Sequence, residues 1–101
     1  MIAGFHDQVT QDIFDGANTP AARRIPREIW KVVVRKLDML EAAHEIKDLK
    51  SPPGNRLEAL KGKMAGRYSI RVNDQYRLIF RFDGGNAVDV AVADYHSGGK
   101  R

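Results

Sequence analysis

The chain has 101 residues, of which 43% are hydrophobic and 30% are charged, a composition typical of one globular domain. It has no cysteine and no apolar run of ~18 residues, which excludes disulfides, thiolate metal sites, a cysteine nucleophile and a membrane span. The net charge of +4 arises in residues 51–101, which hold nine Lys/Arg and five Asp/Glu, because residues 1–50 hold eight of each.

The first half of the chain is predicted to be helical. The N-terminus lacks the basic and apolar regions of a secretion signal, so we expect a single cytoplasmic domain over residues 1–101. Residues 2–5 fit a short strand, residues 8–14 a short helix, and residues 16–24 a turn rich in Gly, Asn, Thr and Pro. A longer helix is predicted over residues 26–43, with Pro26 in its first turn. Its core-facing stripe consists of Ile29, Val33, Leu37 and Leu40. Its charged residues are expected on the surface and are Lys31, Arg35, Lys36, Asp38 and Glu41.

The second half predicts an antiparallel sheet. Residues 44–56 form a connector, because two prolines followed by Gly-Asn exclude a helix or a central strand. Residues 57–60 fit a brief strand, and residues 68–72 and 76–82 alternate apolar and polar side chains. An Asp-Gly-Gly-Asn turn leads into a last strand whose buried face is expected to be Val88, Val90 and Val92. We therefore expect an α+β fold, in which an N-terminal strand and two helices pack on a mostly antiparallel sheet of three to five strands.

Basic residues cluster in the predicted sheet and in the loop before it. The cluster consists of Arg71, Arg77 and Arg81 on the strands and Lys61, Lys63 and Arg67 in the loop. Between Arg56 and Arg81 the sequence supplies only Glu58 and Asp74 as acids, so a bound phosphate is the simplest way to offset the repulsion. The charge asymmetry favours a polyanion partner, nucleic acid first. The alternative is a solvated basic face that has no partner.

The last predicted strand ends on Asp94-Tyr95-His96. An imidazole with a pKa of about 6.5 is suited to general acid–base catalysis, a carboxylate can orient it, and a tyrosine can stack on a base or donate to a phosphate. The alternative is a core Tyr95 and an exposed His96 near a frayed end. No two histidines share a metal-ligand spacing, and the GxxxxGK[ST] and GxSxG patterns are absent. We therefore expect no metal, no cofactor and no nucleoside triphosphate site.

The block NRLEALKGKMAGRYSIRVNDQYRLIFRF, followed by VADYH, resembles the HigB branch of the RelE/ParE toxin superfamily, the plasmid maintenance killer proteins of type II toxin–antitoxin systems. The resemblance extends upstream through DLKSPPGN, RKLDMLEAA and IAGFHD, and so covers nearly the whole chain. It implies a small RelE-like fold and a cognate, HigA-like helix-turn-helix antitoxin, through which alone the toxin reaches operator DNA. It also implies that the free toxin enters the A site of the ribosome (70S) and cuts mRNA without a metal, by attack of a ribose 2′-OH on the adjacent phosphate.

The resemblance assigns roles to residues of the second half. His96 is expected to act as general acid or base, with Asp94 orienting it or sharing the proton transfer and Tyr95 stacking near the scissile nucleotide. Lys61 and Arg77 are expected to stabilise charge on the phosphate. The further RNA-binding residues are expected to be Arg71, Arg81, Lys63 and Arg67. Glu58 stands where the family pattern has a catalytic histidine, and is expected either to serve as the base or to pair with a neighbouring lysine.

Two alternatives stay open at this point. A toxin of the ParE branch shares the scaffold but acts on DNA gyrase, and the retention of Lys61, Arg77 and the Asp94-Tyr95-His96 run argues against it. A non-catalytic module that binds RNA or a protein partner would use the same basic face without cutting anything.

Overall fold

A computed structural model describes residues 1–95, in which two α-helices pack on one face of a four-stranded sheet. The helices are α1 (Gln8–Asp15) and α2 (Trp30–Ala42), and the strands are β1 (Glu58–Ala59), β2 (Tyr68–Arg71), β3 (Tyr76–Asp83) and β4 (Asn86–Asp94). The strands pair in chain order and every pair is antiparallel. The predicted α+β architecture is therefore confirmed. Among residues 1–95, no helix has the length and apolar character needed to cross a membrane.

Helix α1 has a capping residue at each end, which explains why its predicted bounds are correct to one residue. The Asp7 carboxylate accepts the backbone N–H of Thr10 at 3.0 Å, which satisfies a donor that the first turn leaves unpaired. Gly16 ends the helix at φ 77°, a left-handed conformation that glycine adopts without steric cost. The Thr10 hydroxyl is fully buried and accepts the Val92 N–H at 2.9 Å, so the helix is tied directly to β4.

Helix α2 is shorter than predicted, because Arg27–Ile29 form a 3₁₀ turn and the α-helix begins at Trp30. The predicted core stripe is confirmed for three residues with no exposed surface, Val33, Leu37 and Leu40. Ile29 is only half-buried. The prediction that Lys36 lies on the surface is wrong, since only 7% of this residue is exposed.

The three long strands form the centre of the sheet and present one apolar face to the helices. Ile70, Leu78 and Val92 lie side by side in register, and Ile70 and Leu78 have no exposed surface. The Asp83–Asn86 hairpin is confirmed, with Gly84 and Gly85 at φ 58° and 84°, both positive as a two-residue type I′ turn requires. The alternation of apolar residues in β3 therefore predicted the buried face of the central strand correctly.

The predicted buried face of β4 needs one correction. Asp89 has φ 54°, and the register with β3 shifts between Ile79 and Arg81, which is the signature of a β-bulge. A bulge inserts one residue and so interrupts the alternation of side chains along the strand. The buried residues of β4 are consequently Ala87, Val90 and Val92, whereas Val88 is half-buried.

The remaining segments complete the fold. The predicted N-terminal strand is reduced to two isolated parallel bridges to β4, formed by Ile2 with Ala87 and by Phe5 with Val90. The brief strand predicted over residues 57–60 is β1, two residues long. The connector contains two 3₁₀ segments, Ile46–Lys50 and Pro53–Asn55, which bring the chain from α2 to the outer edge of the sheet.

Candidate functional site

The face of the sheet turned away from α1 and α2 carries most of the predicted site residues, and we call it the open face. Its members follow from the strand register: Glu58 on β1 is opposite Ser69 on β2, Arg71 is opposite Arg77, and Arg77 is opposite Ala93 on β4. Residues that are directly opposite in an antiparallel pair project to the same side. The two alanines of β4, Ala91 and Ala93, leave room beside Arg77.

Arg77 is held at the centre of this face by the protein itself. Its Nε donates to the Ser69 hydroxyl at 2.7 Å, and its Nη2 donates to the Arg56 carbonyl at 2.6 Å and to the Ser69 carbonyl at 3.4 Å. Only 11% of its side chain is exposed. Within residues 1–95 nothing accepts a hydrogen bond from Nη1, whose two N–H groups therefore remain for a ligand. Such an arrangement presents an oriented cationic donor pair.

The electrostatic surroundings of Arg77 contain charges of both signs. Burial lowers the pKa of its guanidinium, Glu58 and Tyr95 raise that pKa, and Arg71 and Arg56 lower it. Glu58 Oε1 is 3.9 Å from Arg77 Nη2, and the Tyr95 ring centroid is 5.9 Å from Arg77 Cζ. A guanidinium remains charged throughout the physiological range, so the face keeps a fixed positive centre.

Glu58 contacts an arginine, whereas the sequence suggested a lysine partner. Its side chain is 57% exposed and its one ion-pair partner within residues 1–95 is Arg77. It therefore lies beside the cation that would hold a phosphate and is accessible to a ligand at the same time.

The other two arginines of the strands have acidic partners, one of which the sequence reasoning did not count. Arg81 donates from Nε and Nη2 to the Asp89 carboxylate at 2.9 and 2.7 Å, across the bulge of β4. Arg71 forms an ion pair with the exposed Asp74. Both arginines are thus ion-paired, and Arg71 is nearer to the centre of the face because it is directly opposite Arg77.

The basic loop lies beside β1 and β2. Lys61 precedes the 3₁₀ turn Gly62–Met64, and the Arg67 carbonyl accepts the Leu60 N–H at 2.8 Å, which closes the loop. Lys61 and Lys63 are exposed and Arg67 is half-buried. In the part of the chain that the structure describes, none of these three cations forms an ion pair. Their charge is therefore directed to solvent or to a ligand.

The structure separates two members of the predicted Asp94-Tyr95-His96 group. Tyr95 follows the open-face residue Ala93 by two positions and its ring faces Arg77. Asp94 is opposite Tyr76 on β3, which belongs to the core face, and its Oδ2 accepts a hydrogen bond from Gln75 at 3.1 Å. His96 lies outside the described residues. Asp94 and Arg77 are consequently on different faces of the sheet.

Two contributors to the site were not found by sequence reasoning. Ser69 has no exposed surface and bonds Arg77 with both its hydroxyl and its carbonyl. The Arg56 carbonyl is the second acceptor, and no side-chain pattern reveals a backbone carbonyl. A serine at a polar strand position next to the arginines was the available signal for Ser69. Over residues 1–95 no group of three His, Asp or Glu side chains is placed to hold a metal ion.

Comparisons with known proteins identify the family. Residues 3–96 match the family model for HigB-like toxins, described as the RelE-like toxin of the type II toxin–antitoxin system HigB. A 67-residue segment is 51% identical to Toxin HigB-1 of Vibrio cholerae, covering 66% of this chain and 70% of that protein. A 74-residue segment is 50% identical to an uncharacterized protein of Haemophilus influenzae, covering 73% and 72% of the two chains.

Solved structures confirm the fold. A chain of the YoeB–YefM complex from Staphylococcus aureus superposes with a TM-score of 0.60 over 95% of this chain and 98% of its own length. A heterotetrameric YoeB–YefM toxin–antitoxin complex from the same organism gives the same TM-score. At 17% identity this likeness concerns the fold alone, which is the RelE-like fold that the sequence predicted. The match over residues 3–96 shows that the chain belongs to the HigB-like toxins of type II toxin–antitoxin systems.

Proposed function

We propose that this toxin is a ribosome-dependent endoribonuclease that cuts mRNA in the A site and so inhibits translation. The observation that carries the proposal is the preorganised Arg77, which three hydrogen bonds hold on the open face with Nη1 left for a ligand. A donor fixed where negative charge develops needs no reorganisation during the reaction, and such electrostatic stabilisation usually contributes more to catalysis than any other effect.

The proposed reaction needs a base, an acid and a stabilised phosphate. The ribose 2′-OH loses its proton to the base and attacks the adjacent phosphorus, and the 5′-oxygen leaves with a proton from the acid. The products are a 2′,3′-cyclic phosphate and a 5′-OH. Glu58 is our candidate base, because its exposed carboxylate lies 3.9 Å from Arg77 Nη2. His96 is our candidate acid, since it directly follows Tyr95, whose ring faces Arg77.

The remaining predicted residues receive supporting roles in this proposal. Tyr95 stacks on a base next to the scissile phosphate, and Lys61 adds charge to that phosphate from the loop. Asp94 keeps the end of β4 in place through Gln75, because its position on the core face separates it from the reacting atoms. The RNA backbone on either side is held by further cations, namely Lys63, Arg67, Arg71 and Arg81.

The proposed partners follow from the family and from the charge. We propose a HigA-like helix-turn-helix antitoxin that keeps the toxin inactive and through which alone the toxin reaches operator DNA. The net charge of +4 and a basic loop without ion pairs in the described residues favour a nucleic acid as the target of the free toxin. Both the ribosome and the antitoxin gene product imply a cytoplasmic location.

The test is a reconstituted translation reaction to which the purified protein is added. Primer extension maps the mRNA ends with and without ribosomes, and we expect cuts only within ribosome-engaged codons. His96→Ala and Glu58→Gln should each reduce cleavage by about 100-fold or more, on the order expected for loss of a general acid or base. Glu28→Gln removes an exposed carboxylate that forms no hydrogen bond or ion pair within residues 1–95 and is the matched control.

The outcomes separate the alternatives. Intact mRNA with a folded wild-type protein would refute the proposal, and a gyrase supercoiling assay would then test the ParE-like activity. Cleavage that persists in both His96→Ala and Glu58→Gln would refute the assigned proton-transfer residues while leaving the nuclease activity standing. Binding to ribosomes without any cleavage would support the non-catalytic module instead.

A further inference from the structure

Lys36 is a buried cation that the proposed reaction does not use. It lies on α2 with 7% of its surface exposed, and its one hydrogen-bond partner within residues 1–95 is Asn55 Oδ1, at 2.5 Å. Burial lowers the pKa of its ammonium group, and the positive charges of Arg35 and Arg71 lower it further. No carboxylate within the described residues forms an ion pair with it. Burying an ammonium group in this way costs free energy of folding, so we looked to its contacts for a structural role.

Lys36 donates a hydrogen bond to Asn55, whose side chain also binds the backbone of the connector, residues 44–56. Asn55 has no exposed surface, and its Nδ2 donates to the carbonyls of Leu49 and Ser51 at 3.1 and 3.4 Å. All the hydrogen-bonding groups of this side chain are thus engaged, with Lys36 occupying the oxygen. The Asn55 side chain therefore fastens the last turn of the connector to α2 and to the segment that begins at Leu49.

The residue after Asn55 is the one that orients Arg77. Arg56 has φ 46° and ψ 55°, a left-handed conformation that is unfavourable for a side chain other than glycine and persists where the surroundings enforce it. In this conformation the Arg56 carbonyl accepts the Arg77 Nη2 N–H at 2.6 Å. Neither the Asn55 side chain nor Lys36 hydrogen-bonds to Arg77, so the hydrogen-bonded path from them to Arg77 runs through the Arg56 backbone.

We propose that Lys36 and Asn55 are positioning residues that fix the Arg77 guanidinium through the Arg56 carbonyl. The Lys36–Asn55 hydrogen bond immobilises the connector, the connector enforces the left-handed Arg56, and the Arg56 carbonyl orients Nη2 of Arg77. The ligand-facing Nη1 then points in one direction. This inference deepens the proposed function and rests on it, because it names residues behind the open face on which the phosphate-binding group depends.

The test follows the Arg77 Nη2–Hη2 group, which donates to the Arg56 carbonyl, by low-temperature NMR in the purified, full-length protein, with its signal assigned by its loss in Arg77→Lys. Lys36→Met keeps the unbranched stem and removes the donor. Asn55→Asp keeps the shape and the acceptor for Lys36 but removes the two donations to the connector. In both variants we expect hydrogen exchange of the Arg77 Hη2 protons to accelerate about fivefold, the change that corresponds to the loss of one typical hydrogen bond. Lys31→Met, an exposed lysine of the same helix, should leave the exchange rate unchanged.

The measurement distinguishes positioning from general stability. Lys36→Met removes a buried charge but also leaves the buried Asn55 Oδ1 without its donor, so the melting temperature is measured on the same samples. Faster exchange at Arg77 in a variant that keeps the wild-type melting temperature cannot come from global unfolding. An unchanged exchange rate in folded Lys36→Met and Asn55→Asp would overturn the proposal. If one of the two variants does not fold, the other decides the matter.

Activity provides an independent readout. In the translation reaction we expect Lys36→Met to lower kcat about tenfold and to change the apparent KM for programmed ribosomes less than about twofold, because a misoriented Arg77 is felt most in the transition state. A tenfold rise in KM with unchanged kcat would contradict the proposal. A wild-type protein without nuclease activity would refute the proposed function. The positioning of Arg77 would still be tested by the hydrogen-exchange measurement, because that measurement needs no RNA.

Discussion

Replacing Arg77 by lysine tests the role of its fixed geometry, because the substitution keeps the charge and removes the planar donor set. Arginine uses Nε and Nη2 for Ser69 and Arg56 and still presents two N–H groups from Nη1. A lysine has a single Nζ, which cannot reach the Ser69 hydroxyl, the Arg56 carbonyl and a phosphate together. The phosphate therefore loses either its donor or the fixed position of that donor.

The expected magnitude follows from these contacts. Loss of one preorganised donor to a developing oxyanion costs roughly 100- to 1,000-fold in kcat, and we expect Arg77→Lys to lie near the lower value because its charge persists. The folded state loses at least one buried hydrogen bond, which costs about 1–2 kcal/mol. In a domain of this size, each kcal/mol lost from the free energy of unfolding lowers Tm by roughly 4–8 °C.

Single-turnover cleavage on programmed ribosomes is the assay, with thermal unfolding measured on the same samples. Arg24→Lys, at an exposed position in the first half of the chain, is the matched control and should retain wild-type activity and Tm. If Arg77→Lys cleaves within about fivefold of the wild type, the fixed guanidinium geometry is not what the reaction requires. Such a result would refute the reasoning, since charge alone would then suffice.

Three further predictions concern stability. Thr10→Val leaves the buried Val92 N–H without its acceptor and should lower the free energy of unfolding by about 1–3 kcal/mol in urea titrations. A hydrogen bond from Thr19 is the main cause that lowers the pKa of Asp12. The Asp12 carboxylate therefore contributes to the free energy of unfolding above about pH 4, and this contribution is lost as the pH falls through the folded-state pKa. Asp12→Asn should make the free energy of unfolding depend less on pH in this acidic range. The pKa of Lys36 is also lowered, so at alkaline pH the folded state binds fewer protons than the unfolded state. The free energy of unfolding of the wild type should therefore rise with pH up to about 10.5, and that of Lys36→Met should lack this rise.

Controls for these predictions come from exposed residues of the same two helices. Gln11→Ala and Asp15→Asn on α1, and Lys31→Met on α2, replace side chains that are exposed. Each should change the unfolding free energy by less than about 0.5 kcal/mol. An unfolding free energy of Thr10→Val equal to that of Gln11→Ala would contradict the role of the α1–β4 hydrogen bond. Parallel pH profiles of the wild type and either titration variant would contradict the corresponding linkage.

The placement of several candidate-site residues could be predicted from the sequence, and the reasons are local. Arg71 and Arg77 stand at polar positions of alternating strands, and alternation alone puts such positions on the face away from the core. The same alternation, continued past Ala93, puts Tyr95 beside Arg77. The acidic neighbour of Arg81 could not be predicted, because Asp89 reaches it only through the register of two strands and the bulge between them.

By itself the sequence determined the elements and the family. The apolar stripe of α2, the alternation in β3 and the paired glycines after Asp83 depend on neighbours a few positions away, so composition and spacing are sufficient to predict them. Only the tertiary structure decided the burial of Lys36 and the aim of the Arg56 carbonyl at Arg77. Both depend on contacts between residues about 20 positions apart along the chain, and the direction of a backbone carbonyl is encoded in no single side chain.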